Sequence, residues 1–211
     1  MNFDGQITDF IEIDGDHVIM PGGLKAKVEP MIGVVSVTPK VSDDEDISKT
    51  IKYDLSDGGG NLDYRDIREN HSVCLKAHHD GGLFYIGDVH AAQGWGEWLG
   101  MGIECASEVT ISVHKEEVYY SPRPVIIKEN SFSCIACAVP YGNAVNIAMN
   151  DAANILVRLK DISYFDAIRY CKMLGHVKNG QVWHLGLGIL PDNKPINEFP
   201  ITVGVEIPLP L

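Results

Sequence analysis

The sequence predicts a mainly β protein, a sandwich or barrel with a helical pair late in the chain, on three observations. As far as about Val113, short β-branched or aromatic runs alternate with clusters of Gly, Pro, Asn and Asp. After Pro140 the apolar residues recur at helical spacing instead. Two further strand-like runs then close the chain, and no internal repeat, low-complexity tract or Gly/Ser linker divides it. The expectation is one unit over residues 1–211, β-rich over 1–140, with the helical pair and more strands over 141–211.

Taken in order, the candidate strands are "ITDFIEI" (7–13), "MIGVVSV" (31–37), "HSVCLKA" (71–77), "GLFYIGD" (82–88) and "EVTISVH" (108–114). "VSDDEDISK" (41–49) lacks the glycine and terminal Glu of a calcium loop and reads as a solvated acidic loop. The first helix is expected in "NIAMNDAANILVRLKD" (146–161), where Ala148, Ala152, Ile155, Leu156 and Leu159 share a face. The second starts at Ser163, with Asp166 three residues on as in a capping box, and stops at Gly175. "QVWHLGLGIL" (181–190) and "ITVGVEI" (201–207) are again strand-like.

Composition narrows the classes. Hydrophobic residues make up 45% of the 211, enough for a substantial core. Against 29 Asp+Glu there are 17 Lys+Arg, and a net charge of −12 repels a polyanion, which disfavours nucleic acid as a partner. The first twenty residues hold five carboxylates and no Lys or Arg, unlike a leader peptide, and no apolar run reaches bilayer length. Five scattered cysteines suit a reducing compartment, so the cytoplasm is expected. Cys134 and Cys137 form a CxxC among Ile and Ala, without a second ligand pair, and read as small core side chains on a strand.

Two polar clusters could carry chemistry. In "GDVHAAQGWGE" (87–97), Asp88 and His90 lie two apart at a strand end and share a face. A carboxylate and an imidazole so placed suit a metal, with Gln93, Glu97 and Glu104 close behind and Gly94 and Gly96 letting the chain fold back. An Asp88 that caps a turn, a His90 that donates to a buried carbonyl and solvated glutamates fit the same spacing equally well. In "DGGGNLDYRD" (57–66), Asn61 and Asp63 follow three glycines, which a hairpin with an Asx-turn also explains. His78 and His79 are adjacent and would face opposite ways on a strand, while no cysteine has a His partner in a turn-to-helix setting, which ranks nucleophilic catalysis lower.

Together the clusters resemble the acetamidase/formamidase family. The chain has "GGNLD" at Gly59 to Asp63, "GDVHAAQGWGE" at Gly87 to Glu97 and "MGIE" ending at Glu104, in that family's order and spacing. The likeness continues through "PMIGVVSVTP" (30–39), "AMNDAANILV" (148–157), "DAIRYCKMLG" (166–175), "GQV" (180–182) and "VGVEIP" (203–208). The resemblance implies a jelly-roll-like sandwich with a small α+β portion near the C-terminus, hydrolysing short linear amides to a carboxylate and ammonia. It implies metal ligation by Asp63, Asp88, His90 and Glu104, proton transfer by Glu97, and a substrate amide held by Asn61 and Gln93. Zinc is the first choice for such donors, with calcium or manganese as alternatives.

The chain departs from the family pattern at Gly58, where a histidine is usual, at Trp95, where aspartate is usual, and at His176, where aspartate follows the second helix. A large indole in place of a small anion reshapes any pocket, so a catalytically inactive binding subunit stands as the alternative to an amidase. Family members also carry a β-rich segment ahead of the part matched here. The expectation is a homo-oligomer, or a partner chain that supplies that segment, with a small-molecule amide as ligand and neither nucleic acid nor membrane as partner.

Overall fold

A computed structural model describes residues 10–38, 57–97, 102–115, 117–180 and 201–210. Its described residues form twelve strands in three antiparallel sheets, with two helices. The expected loop 41–49 and strand 181–190 fall outside these residues, as do residues 7–9 of the expected strand 7–13.

The chain enters through a three-stranded meander, β1 (Glu12–Asp14), β2 (His17–Ile19) and β3 (Lys25–Lys27). The Glu29 N–H then donates to the Ala91 carbonyl at 2.8 Å, bringing the chain to the next sheet. That sheet comprises β4 (Met31–Val37), β5 (Gly59–Asn61), β7 (Phe84–Ala92) and β8 (Ile103–Glu104), in the order β5-β4-β7-β8. The third contains β6 (Ser72–Cys74), β9 (Val125–Ile127), β10 (Ser131–Ala138), β11 (His176–Asn179) and β12 (Ile201–Pro208), in the order β11-β12-β10-β9-β6.

Strand periodicity explains the layering. Phe132, Cys134 and Ala136 alternate along β10 and meet Val203, Val205 and Ile207 of β12 on one side of the sheet. Ile135 points the other way, joining Ile126, Val35, Leu62, Tyr64 and Ile67 in a second core between the two larger sheets. The CxxC cysteines, three apart on a strand, therefore cannot share a face.

Helices α1 (Tyr141–Lys160) and α2 (Tyr164–Leu174) cover the outer side of the five-stranded sheet. Ala144, Ala148, Ala152 and Ala153 are fully buried, and their small side chains let α1 lie close to the strands. α1 starts five residues before the expected Asn146. Gly142 and Asn143 are poor helix formers, but a first turn opened by Pro140 accepts them, and the Asn143 N–H reaches the Pro140 carbonyl at 2.8 Å. Ser163 caps α2 as expected, its Oγ accepting from the Asp166 N–H at 3.1 Å. No helix among the described residues is long and apolar enough to cross a membrane.

Residues 108–114 correct a strand expectation. They are exposed and form no strand, because a period-two pattern needs a neighbouring strand to hydrogen-bond with and none of the described strands lies beside it.

Candidate metal centre

The β4 and β7 strands pair from Met31–His90 and Ile32–Val89 to Val34–Gly87, leaving Gly33 and Asp88 opposite each other between them. Asp88 has φ 59° there, a left-handed backbone that a strand interior does not supply. Asp63, just beyond β5, has φ 42° and Glu97 has φ 40°. Three carboxylates of one cluster thus sit on backbones that favour glycine, strain of the kind that gathers at functional sites.

Gly33 forms the floor. A Cβ built on it would lie 2.5 Å from Asp88 Oδ2 and 2.7 Å from Asp63 Oδ1, so any side chain would fill the space the two carboxylates share. The Gly33 carbonyl also accepts from the Asp63 N–H at 3.1 Å, which sets that residue over the strand. The three glycines before it serve the same approach: Gly59 has φ 101°, and a Cβ there would meet the Val35 carbonyl at 2.3 Å.

His90 is fully buried. Its Nδ1 lies 2.5 Å from Gln93 Oε1, an atom that only accepts, so Nδ1 carries the proton. Gln93 is anchored in turn by its Nε2, which donates to the Asp63 carbonyl at 2.8 Å. The remaining ring nitrogen, Nε2, faces Asp88 Oδ1 at 3.3 Å and Glu104 Oε1 at 3.1 Å. Gly102 packs on the ring so closely that a Cβ would lie 2.2 Å from Nδ1.

Charge is unbalanced here. Burial first, then the Glu97, Asp88 and Glu104 carboxylates, push the Asp63 carboxyl up to about 9. Both its oxygens are buried with no donor of good geometry among the described residues. Glu104 is also raised, chiefly by burial, although His90 opposes the rise. Burial pulls the His90 imidazole down, but the Gln93 hydrogen bond and the Glu104, Asp88 and Glu97 charges outweigh it and raise its pKa.

Asp63, Asp88 and His90 each offer a ligand atom within 4.8 Å of the others. Two carboxylates, one of them buried without a donor among the described residues, and an imidazole Nε2 whose tautomer is fixed by an amide together fit a divalent cation. Glu104, largely exposed, reaches the same imidazole nitrogen from β8. Asn61 ends β5 with a buried Oδ1 that has no partner among the described residues.

Gly33 and Gly102 escape a sequence reading of the site, although an isolated glycine inside "MIGVVSV" is a signal of close backbone approach. At the unusual positions, Gly58 is buried and its carbonyl accepts from the Val37 N–H at 2.9 Å. Trp95 meets Tyr64 edge-on at 5.3 Å and lies under the Lys178 ammonium at 4.6 Å. His176 is exposed at the start of β11.

The fold has counterparts in solved structures. An acetamidase from Bacillus halodurans is 28% identical and superposes with a TM-score of 0.73, over 94% of this chain and 60% of that one. An acetamidase from Yersinia enterocolitica (24% identical, TM-score 0.69, 94% and 54% covered) shares the fold. So does a recombinant predicted acetamidase/formamidase from the thermophile Thermoanaerobacter tengcongensis (23%, 0.67, 94% and 59%). The chain thus spans 60% of the length of the Bacillus protein and less of the other two. Curated proteins give no match. The sequence profile described as the Acetamidase/Formamidase family matches residues 23–180, three quarters of the chain and every residue of the cluster, and on that ground the chain belongs to the acetamidase/formamidase family.

Proposed function

We propose that the chain hydrolyses a short linear amide of the formamide or acetamide kind to a carboxylate and ammonia, at a divalent-cation site made by Asp63, Asp88, His90 and Glu104. The observation that carries this reading is the convergence of Asp63, Asp88 and His90 over Gly33 in a chain of this family. Zinc suits the donor set best, with calcium or manganese as alternatives. When bound, such a cation supplies a Lewis acid for the amide carbonyl and lowers the pKa of a water.

The protein's own groups have separate tasks. Gln93 is a positioning residue: both ends of its amide are engaged, holding His90 in the tautomer that presents Nε2 and tying the Asp63 loop to it. Glu97, buried beside Asp63, takes a proton from the attacking water and returns it to the leaving nitrogen. Water adds to the carbonyl carbon, the C–N bond breaks, and the nitrogen leaves as ammonia. Asn61 Oδ1 accepts an N–H of the substrate amide, and a ligand without that donor leaves a buried acceptor unpaired. The scattered cysteines support a reducing compartment such as the cytoplasm for this reaction.

The test combines metal analysis of the purified protein with ammonia release from formamide and acetamide. A stoichiometric divalent ion with turnover of either amide is the expected result, and His90→Ala should lose both. An ion without ammonia from any small amide would favour a non-catalytic binding subunit, a reading that Trp95 in place of the usual aspartate keeps in view. Full metal content in His90→Ala would remove His90 from the ligand set.

A further inference from the structure

Residues 106–115 are exposed along their whole length, and among the described residues their backbone groups pair with no strand. Within this stretch Val109, Ile111 and Val113 are 37%, 50% and 86% exposed. Ser112 Oγ lies 2.9 Å from His114 Nε2, as expected where side chains two apart share a side of an extended backbone. The segment therefore has a β-branched apolar side and a polar side. From Glu108 to His114 there is no Pro, Gly or Lys, the residues that keep an open edge from pairing, and Lys115 stands only at the end of the segment.

The order of residues specifies what would pair with it. Outward from Ile111 the sequence is reciprocal: Thr110 and Ser112, Val109 and Val113, Glu108 and His114, Ser107 and Lys115. Two antiparallel copies centred on Ile111 set hydroxyl against hydroxyl, valine against valine and an acid against an imidazole. A slip of one residue sets each valine against a polar neighbour, and a slip of two leaves Glu108 opposite Ser112. Such self-complementarity is what a two-fold, isologous contact requires.

We propose that residues 107–115 pair antiparallel, about a two-fold axis at Ile111, with the same segment of a second copy of this chain. The pairing satisfies the exposed backbone groups of both copies. It also collects six β-branched side chains, Val109, Ile111 and Val113 from each, into one strip where they cover one another. The proposal does not depend on the chemistry of the metal centre.

Sedimentation velocity on the full chain, together with engineered cysteines, tests it. The two-fold places Ile111 against itself at a Cα separation of about 4.5–5.5 Å, within disulfide reach. Ile111→Cys should therefore form a covalent dimer on mild oxidation beyond any given by the parent protein. Val113→Cys alone should not, while a mixture of Val109→Cys and Val113→Cys should cross-link. Ile111→Lys sets like charges opposite each other and should raise the dimer dissociation constant by about tenfold or more, with an unchanged circular dichroism spectrum. A protein monomeric at every concentration, whatever strand it uses internally, overturns the proposal. So does a dimer that Ile111→Lys leaves intact, or one in which Val113→Cys cross-links as readily as Ile111→Cys.

Discussion

Two charged clusters in this chain answer the same problem in opposite ways. On the five-stranded sheet, Asp66 and Glu206 are interleaved with Lys128 and Lys178: Lys128 Nζ lies 2.8 Å and Lys178 Nζ 3.3 Å from Asp66 Oδ2, and both lysines pair with Glu206. Ser131 adds a hydrogen bond to Glu206 at 2.7 Å. The other cluster, around His90, gathers Asp63, Asp88, Glu97 and Glu104 with no Lys or Arg in its described contacts. Burial raises Glu206, but the hydrogen bonds from Lys128, Lys178 and Ser131 overcome it and bring the carboxyl down to about 2, whereas Asp63 is pushed up to about 9. A cluster that neutralises itself stabilises the fold. One that leaves its acids crowded is completed from outside, by protons or by a cation.

The sharpest way to break this contrast is Asp63→Asn. With one of the proposed ligands gone, the proposed amide turnover should fall by several kcal/mol of transition-state stabilisation, on the order of a thousandfold or more. Its melting temperature in chelator should not fall, since an amide replaces a carboxyl that already favours its neutral form. A large drop in melting temperature without metal would make Asp63 a structural residue like Asp66.

Acid unfolding probes the other side. The folded-state pKa of Glu206 lies below the unfolded 4.5, so its stabilisation is complete above about pH 4.5 and is lost as pH falls toward 2. The pH-dependent part is on the order of 3 kcal/mol for this mostly buried group. Urea titrations at pH 7 and pH 3 should show about 2 kcal/mol of that loss in the parent and not in Glu206→Gln. Equal losses in both would mean that the lysines do not hold this carboxylate as described. For Gln93→Ala, freeing the imidazole should weaken divalent-cation binding by roughly 10- to 100-fold while leaving acid stability alone, as calorimetric titration would show.

How much of this the sequence announces depends on the range of the interactions. The α2 cap at Ser163 and the shared face of Asp88 and His90 depend on residues two or three apart, and both are legible. The resemblance supplies the partner loop with Asp63. The lysine cluster is not legible, because its members are joined across 62 and 112 positions in the chain. Nor are the left-handed backbones at Asp63, Asp88 and Glu97, since nothing in these residue types demands them; those of Asp63 and Asp88 go with the close packing over Gly33. At 108–114 the strand pattern is legible and its partner is not, for pairing is a property of two segments.

Trp95 gives the finest test, because it stands between the two clusters. It shares its loop with Gln93 and Glu97, while its ring lies under the Lys178 ammonium and edge-on to Tyr64. Trp95→Leu removes the cation–π contact and the aromatic pair, each about 1 kcal/mol, and should lower stability by on the order of 1–2 kcal/mol. If the clusters are independent, that loss departs from simple addition to the loss from Glu206→Gln only through the shared Lys178, and cation affinity stays within about twofold of the parent. A tenfold fall in affinity would show instead that the indole transmits the lysine cluster's position to Gln93, and the two charge systems would then have to be treated as one.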